Sequence, residues 1–434
     1  MQVSFSPNHY TKNKDLNDRP VIFAWGNSKK GSLGIGDTEK TDKPMLLPTF
    51  IGSSSDNIIK DIYTDNETTI FLNEEGDLYI CGSYLNSNHP VKINLNLKLN
   101  IVMAQLTEEY IIVLEQNGKI YVAKLEKLNQ SRKKDEKETI NLVELKLSEK
   151  VMRLASGGNY SLMLTQKNTL LYYGAPSKLT QLLKNTDEVV SMENNSFVAL
   201  SYEKIVDFDC SKNSCAFVDR DSIVRTLGNL SSTKTSKTGI ESFKNIMVIT
   251  KIKCTDDFFV ALNHLGDLFV YTPKHKIFKL TVSNPTFALS AVSVMSVAVS
   301  RNHIMALSDN GDLISFGLGS EVMGHGSSFS FKSPQFLSSL ESYVISKIYT
   351  SDFASFAITQ NTNNQKRILL YQLFIYQRIH CRELFCFTKL YCKKVAKLDN
   401  SKIEKLAIKL KNYQDYIMIS LDKCNIFNFI LNCS

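Results

Sequence analysis

The sequence predicts an all-β fold of repeated sheets arranged radially, a β-propeller. Three observations predict it. A strand–turn–strand–turn–strand unit recurs along most of the chain, its second turn is of the Asn/Asp-Gly type, and no substantial amphipathic helix interrupts the pattern.

The unit reads clearly in "IIKDIYTDNETTIFLNEEGDLYICG" (58–82), "IVMAQLTEEYIIVLEQNGKIYVA" (101–123) and "VMRLASGGNYSLMLTQKNTLLYYG" (151–174). It returns at 205–228, 248–271 and 294–316, in weaker form at 344–371, and weakest at 403–429, giving seven copies or eight with the last. Successive turn glycines, or the positions that replace them, lie about 42 to 59 residues apart, the spacing of propeller blades. Gly76, Gly118, Gly266 and Gly311 supply the positive φ of a tight hairpin, and Asp77, Asp267 and Asp312 beside them read as turn residues. Runs such as "YIIVL" and "FFVAL", apolar at consecutive positions, suit strands buried on both faces between stacked sheets. Residues 402–411 fit a half-exposed strand or a short helix equally well.

The connectors "SRKKDEKE" (131–138) and "SSTKTSKTG" (231–239) read as surface loops, because the repeat continues on both sides of each. The expected organisation is a polar tail over 1–20 and a single propeller domain over 21–434, with 366–434 a divergent basic last blade or an extension. The tail lacks an apolar core and does not read as a secretory signal, and no apolar run approaches the length needed to span a bilayer. Nine cysteines without a CxxC pair read as reduced thiols. The expectation is an intracellular protein, nuclear or cytoplasmic, monomeric and not membrane-bound.

Residues 366–434 carry 13 Lys plus Arg against 5 Asp plus Glu, so they hold the whole net charge of +8. Within them Arg378, Arg382, Lys389, Lys393 and Lys394 interleave with Phe374, Tyr376, Phe385, Phe387 and Tyr391. This pattern is a candidate contact region for an acidic protein or for nucleic acid and chromatin; the alternative is a solvated lysine-rich edge. His380, Cys381, Cys386 and Cys392 lie close in sequence, but their spacing is looser than that of zinc ligands, and free thiols are the better reading.

The stretch "VIFAWGNSKKGSLGIGD" (21–37) holds the only tryptophan, Trp25. It lacks the Gly-Lys-Ser/Thr end of a phosphate loop, and the prolines that follow argue against the helix a dinucleotide site needs. Instead, Trp25-Gly26, then Gly31, Leu33, Gly34 and Gly36, then Pro44 and Pro48, resemble the repeat of the regulator of chromosome condensation family. A second echo is Phe316-Gly317 with Gly324 and Gly326, ahead of Pro334. The family's Ala-Ser-Gly-Gly-x-x-His hairpin is similar to "LASGGNYSLML" (154–164), where Gly157 is kept and Tyr160 takes the histidine place, and to "VAVSRNHIMAL" (297–307), where His303 is kept and Ser300 replaces a glycine. Cys81-Gly82, Tyr173-Gly174 and Leu227-Gly228 stand where the family has Trp-Gly.

The resemblance implies a seven-bladed propeller closed by pairing terminal segments, with the strands around 403–429 completing the blade begun by 21–50. It also implies a protein partner, and nucleotide exchange on a Ran-type small GTPase. No cofactor, metal or catalytic constellation is expected: His303 reads as a buried, hydrogen-bonded structural residue, and no nucleophile is placed near it by a motif. A chromatin-associated adaptor, or a scaffold without exchange activity, is the alternative function.

Overall fold

The computed structural model describes residues 20–360, apart from 28–29, 37–39, 51–57, 66, 126–138, 175–188, 192–196, 201–204, 229, 231–247, 273–275, 281–282, 285–286 and 327–330. The chain divides into two compact units, Met1–Gln360 and Asn361–Ser434, and every described residue belongs to the first.

The chain enters through β1 (Ile22–Asn27) and β2 (Lys40–Leu46). Six sheets follow in order. Blade 2 is β3 (Ile59–Thr64), β4 (Thr68–Asn73), β5 (Leu78–Gly82) and β6 (Ser87–Lys92), after which comes the short β7 (Asn94–Leu95). Blade 3 is β8 (Ile101–Leu106), β9 (Tyr110–Glu115), β10 (Ile120–Lys124) and, after β11 (Thr139–Ile140), β12 (Val143–Leu145). Blade 4 is β13 (Val151–Ser156), β14 (Tyr160–Thr165), β15 (Leu170–Gly174), β16 (Val189–Ser191) and β17 (Phe197–Leu200). Blade 5 shows three strands among the described residues, β18 (Ile205–Cys210), β19 (Ser214–Asp219) and β20 (Val224–Gly228). Blade 6 is β21 (Ile249–Cys254), β22 (Phe259–Asn263), β23 (Leu268–Thr272) and β24 (Lys276–Leu280). The pair β25 (Ser283–Asn284) and β26 (Phe287–Ala291) precedes blade 7, which is β27 (Val294–Val299), β28 (His303–Ser308), β29 (Leu313–Gly317), the single turn α1 (Ser320–Met323) and β30 (Phe331–Phe336). Finally β31 (Ile345–Thr350) and β32 (Ala354–Thr359) return to β1 and β2, making blade 1 in the order β2-β1-β32-β31.

The ring closes through its inner strands. In space β31, β3, β8, β13, β18, β21 and β27 each pack on the next, and β27 meets β31. The fold is a seven-bladed, mainly antiparallel β-propeller.

Closure differs from the expectation. Blade 1 is completed by 345–359 and not by 403–429, which lies outside the described residues. The physical reason is that β1 is a third strand without its own first two. It carries Trp25-Gly26 ahead of its last residue where β5 ends in Cys81-Gly82, and its five leading residues are buried, so it needs a partner on each side. The weak copy at 344–371 supplies two strands and takes β1 as its third, in register from Ile22 opposite Ile358 to Gly26 opposite Ala354.

Second strands show why the apolar runs are continuous: β4, β14, β19, β22, β28 and β32 are buried along their full length between neighbouring sheets. The seam between blades 1 and 2 packs Phe71 edge-on to Phe356, with ring centroids 5.9 Å apart. Each such side chain contributes roughly 1.5–3 kcal/mol when removed from water. All seven inner strands carry a bulge at the same register, as between Ile59 and Asp61 in blade 2 and between Ile205 and Asp207 in blade 5. The bulge adds twist and turns two consecutive residues away from the sheet core.

Candidate functional site: seams, hairpin clasps and channel wall

The family-like glycines sit at blade seams. Trp25 is fully buried, and its indole Nε1 donates to Val322 O at 2.7 Å, tying blade 1 to the α1 turn of blade 7. Gly324 lies against the indole and Gly326 against Lys43; Gly326 N also donates to Asp42 O at 2.8 Å. One blade on, the arrangement repeats: Cys81 Sγ donates to Ser32 O at 3.4 Å, and Leu33 is fully buried beside it. Gly31 lies over Ser87 and Asn88, Gly34 over Pro90 and Cys81, and Gly36 over the His89 ring. The space a phosphate would use at these glycines is therefore filled by the next blade. Gly26 shows why glycine follows the tryptophan: its φ is +129°, and a Cβ there would run into Phe353 O, the acceptor of Asn27 N at 2.7 Å. Gly82, Gly174 and Gly317 occupy the same place in blades 2, 4 and 7.

The second-turn glycines lie at the opposite end of the blades. Gly118, Gly266 and Gly311 present their carbonyls to the first amide of the following blade, at Val151, Val294 and Ile345, while Gly76 lies against Ile101. Blade 5 has Ser222 there at φ +59°, and its hydroxyl accepts from Ile249 N at 3.1 Å in place of a glycine carbonyl.

In blades 3, 4 and 7 the residue that opens the second strand clasps the next blade. His303 is 1% exposed, with Nδ1 at 2.6 Å from Ser300 Oγ and Nε2 at 2.6 Å from Thr350 Oγ1 in blade 1. Burial pushes its pKa down to about 3, so the ring is neutral and acts as a hydrogen-bonded strut. Ser300, which departs from the family pattern, supplies one of its partners. Tyr160 lies within reach of Ser211 O and Ser214 O in blade 5, at 2.9 and 2.6 Å, and Tyr110 reaches Tyr173 O in blade 4 at 3.2 Å. Gly157 is packed under the Tyr160 ring.

Sequence reasoning missed the channel wall. An inner strand has one free edge, and its backbone groups need partners. The bulge residues of the preceding blade provide them. Arg153 donates to Val206 O at 3.3 Å and pairs with Asp207, whose other oxygen accepts from Ile252 N at 2.7 Å. Asp209 accepts from Cys254 N at 2.9 Å and from Lys253 at 3.0 Å, and this carboxylate holds the Lys253 ammonium above its ordinary range. Lys251 donates to Met295 O at 3.1 Å, Lys347 to Lys60 O, and Tyr349 to Asp61. The available signal was the charged residue at the third position of "IKDIYT", "VMRLAS", "IVDFDC", "ITKIKC" and "ISKIYT".

Among the described residues no group of three His, Cys, Asp or Glu is placed to hold a metal ion, and no helix is long and apolar enough to cross a membrane. Arg378, Arg382, Lys389, Lys393 and Lys394, like His380, Cys381, Cys386 and Cys392, lie outside the described residues.

A sequence model of the regulator of chromosome condensation (RCC1) repeat matches residues 21–63. No curated protein matches the chain by sequence. Among solved structures, Prp20p from Saccharomyces cerevisiae, described with its binding to Gsp1p and histones, is 17% identical with a TM-score of 0.61, over 80% of this chain and 94% of that one. Yeast RCC1 (Prp20) bound to Kap60 gives 16% and 0.62, over 85% and 96%. Human WBSCR16 gives 15% and 0.61, over 78% and 100%. With an RCC1 repeat spanning its first blade seam and the same ring of sheets around it, this chain is an RCC1-like seven-bladed β-propeller.

Proposed function

We infer that the protein is a protein-binding propeller that regulates nucleotide exchange on a Ran-type small GTPase, in the nucleus or cytoplasm, with no cofactor or catalytic side chain of its own. The observation that carries this reading is the ring shared with Prp20p over four-fifths of the chain, since Prp20p binds Gsp1p. The seams supply the physical means. An exchange factor works by binding the nucleotide-free form of its partner more tightly than the loaded form, which requires a surface that does not yield when pressed. Hydrogen bonds cross from blade to blade at Trp25, Tyr160, Asp207 and His303, so loops mounted on this ring keep their spacing under load.

The test is affinity capture across a salt series, followed by release of fluorescent GDP from any GTPase recovered and from a Ran-type GTPase added directly. Acceleration by catalytic amounts of the propeller is expected. If no GTPase binds and none is accelerated, exchange is ruled out; recovery of histones or nucleic acid alone would put the adaptor reading in its place.

A further inference from the structure

We propose that the channel mouth at the second-turn end of blades 4 to 7 is a docking site for an acidic segment with apolar side chains, carried by a protein partner. Two independent observations meet there. The first is charge: Arg153, Lys251 and Lys253 lie along this wall with Asp207 and Asp209. Both carboxylates are already saturated by a cation and a backbone amide of β21. Lys251 has only a carbonyl, Met295 O, and no carboxylate within ion-pair distance among the described residues. Burial lowers the Lys251 pKa, Asp207 opposes this and the neighbouring Lys253 and Arg153 cations reinforce it, so an incoming carboxylate adds a counter-charge where cations outnumber carboxylates.

The second observation is apolar exposure at the same end. Met152 is 57% exposed beside Arg153, and Met295 is 47% exposed above Lys251, both at the extra residue of the inner-strand bulge. Val248 and Leu265 on blade 6, 55% and 65% exposed, are joined by the His264 N to Val248 O hydrogen bond. The contact path is continuous, from Arg153 to Asp207, from Asp207 to Ile252, and from Lys251 to Met295. Flexible methionines adapt to leucine-like side chains, while Lys251 selects the charge between them.

The site rests on the reading of the molecule as a protein-binding propeller, but its test needs no GTPase. A short fluorescein-labelled peptide of alternating Leu and Glu is titrated by fluorescence anisotropy, beside versions with Gln or Lys for Glu. Expected is binding of the Glu peptide, weakened by salt and tighter than that of the Gln or Lys peptide. Lys251→Glu should weaken it by about tenfold or more, equivalent to ~1.4 kcal/mol, and the pair Met152→Ser with Met295→Ser should weaken it too. Lys212→Glu, at the other mouth, should leave it unchanged. Thermal melting checks each fold, and Lys251→Gln replaces Lys251→Glu should the latter not fold. Equal affinity for the Glu and Gln peptides, or binding indifferent to both the Lys251 and the methionine substitutions, overturns the site. Because peptide binding and nucleotide release are read separately, either can fail without the other.

Discussion

The seams that flank blade 1 and those that flank blade 5 hold the same ring together with different chemistry. Beside blade 1, a glycine-rich turn from one blade lies over the third strand of the next, with Trp25 or Cys81 beneath it and a carbonyl above. Beside blade 5 the seams are joined from the inside, by Arg153, Asp207, Asp209 and Lys253 across the channel edges and by Tyr160 across the first turns. The first solution adds buried shape and a neutral hydrogen bond at each turn to the inner-edge contacts of Lys347 and Tyr349 with blade 2 and of His303 with Thr350. The second uses charge-assisted bonds that answer unpaired backbone groups. A propeller thus needs each seam filled and each inner edge satisfied, but it does not need the same residues to do so.

The contrast sets the order of expected effects. Trp25→Ala removes the largest buried side chain at the closing seam and leaves Val322 O with the Ser355 hydroxyl as its remaining donor, so a loss of about 3–5 kcal/mol is expected by chemical denaturation; a loss near that of an exposed residue would mean the glycine-rich seam is not where closure is held. Gly26→Ala forces a Cβ onto Phe353 O in the left-handed region and should cost about 2–3 kcal/mol, whereas a neutral result would show that β1 and β32 can shift apart. At the polar seam, Asp207→Ala leaves Ile252 N unpaired while half-exposed Arg153 turns to water, and roughly 1–3 kcal/mol is expected. The matched Asp207→Asn, which can still accept from Ile252 N, should recover part of it.

His303 links the comparison to pH. Its folded pKa lies below the ordinary value of 6.5, so the unfolded chain binds the extra proton. Stability is therefore complete above about pH 6.5 and declines as pH falls towards 3, by about 1–2 kcal/mol between pH 7 and pH 5. Melting curves of His303→Gln should show a shallower dependence in that window; an unchanged slope would place the titration elsewhere. The smallest effect is expected at Gly158. A Cβ there meets Lys212 at Cγ, 3.0 Å, and at its backbone O, 3.2 Å, close but without the overlap seen at Gly26, so Gly158→Ala should cost no more than about 1 kcal/mol.

Much of the fold was legible because its signals are local. Turn glycines such as Gly76 and Gly266, the apolar runs of β9 and β22, and the Trp25-to-Gly36 element each mark a position within one blade. The candidate site was far less legible. His303 could be read as a buried structural residue, but its partners Thr350 and Ser355 belong to another blade. Arg153, Asp207 and Lys251 looked like ordinary alternating charges, since nothing within one strand tells that its edge faces a channel.

By itself, then, the sequence determined a repeated three-strand unit, its hairpins and its glycine-rich seams, because each depends on backbone conformation and on burial within a few residues of chain. Only the tertiary structure decided that β31 and β32 adopt β1, and that the charges of blades 4 to 6 converge on the channel wall. Those outcomes rest on which edges remain unpaired once the ring closes at seven blades, a property of the closed ring as a whole.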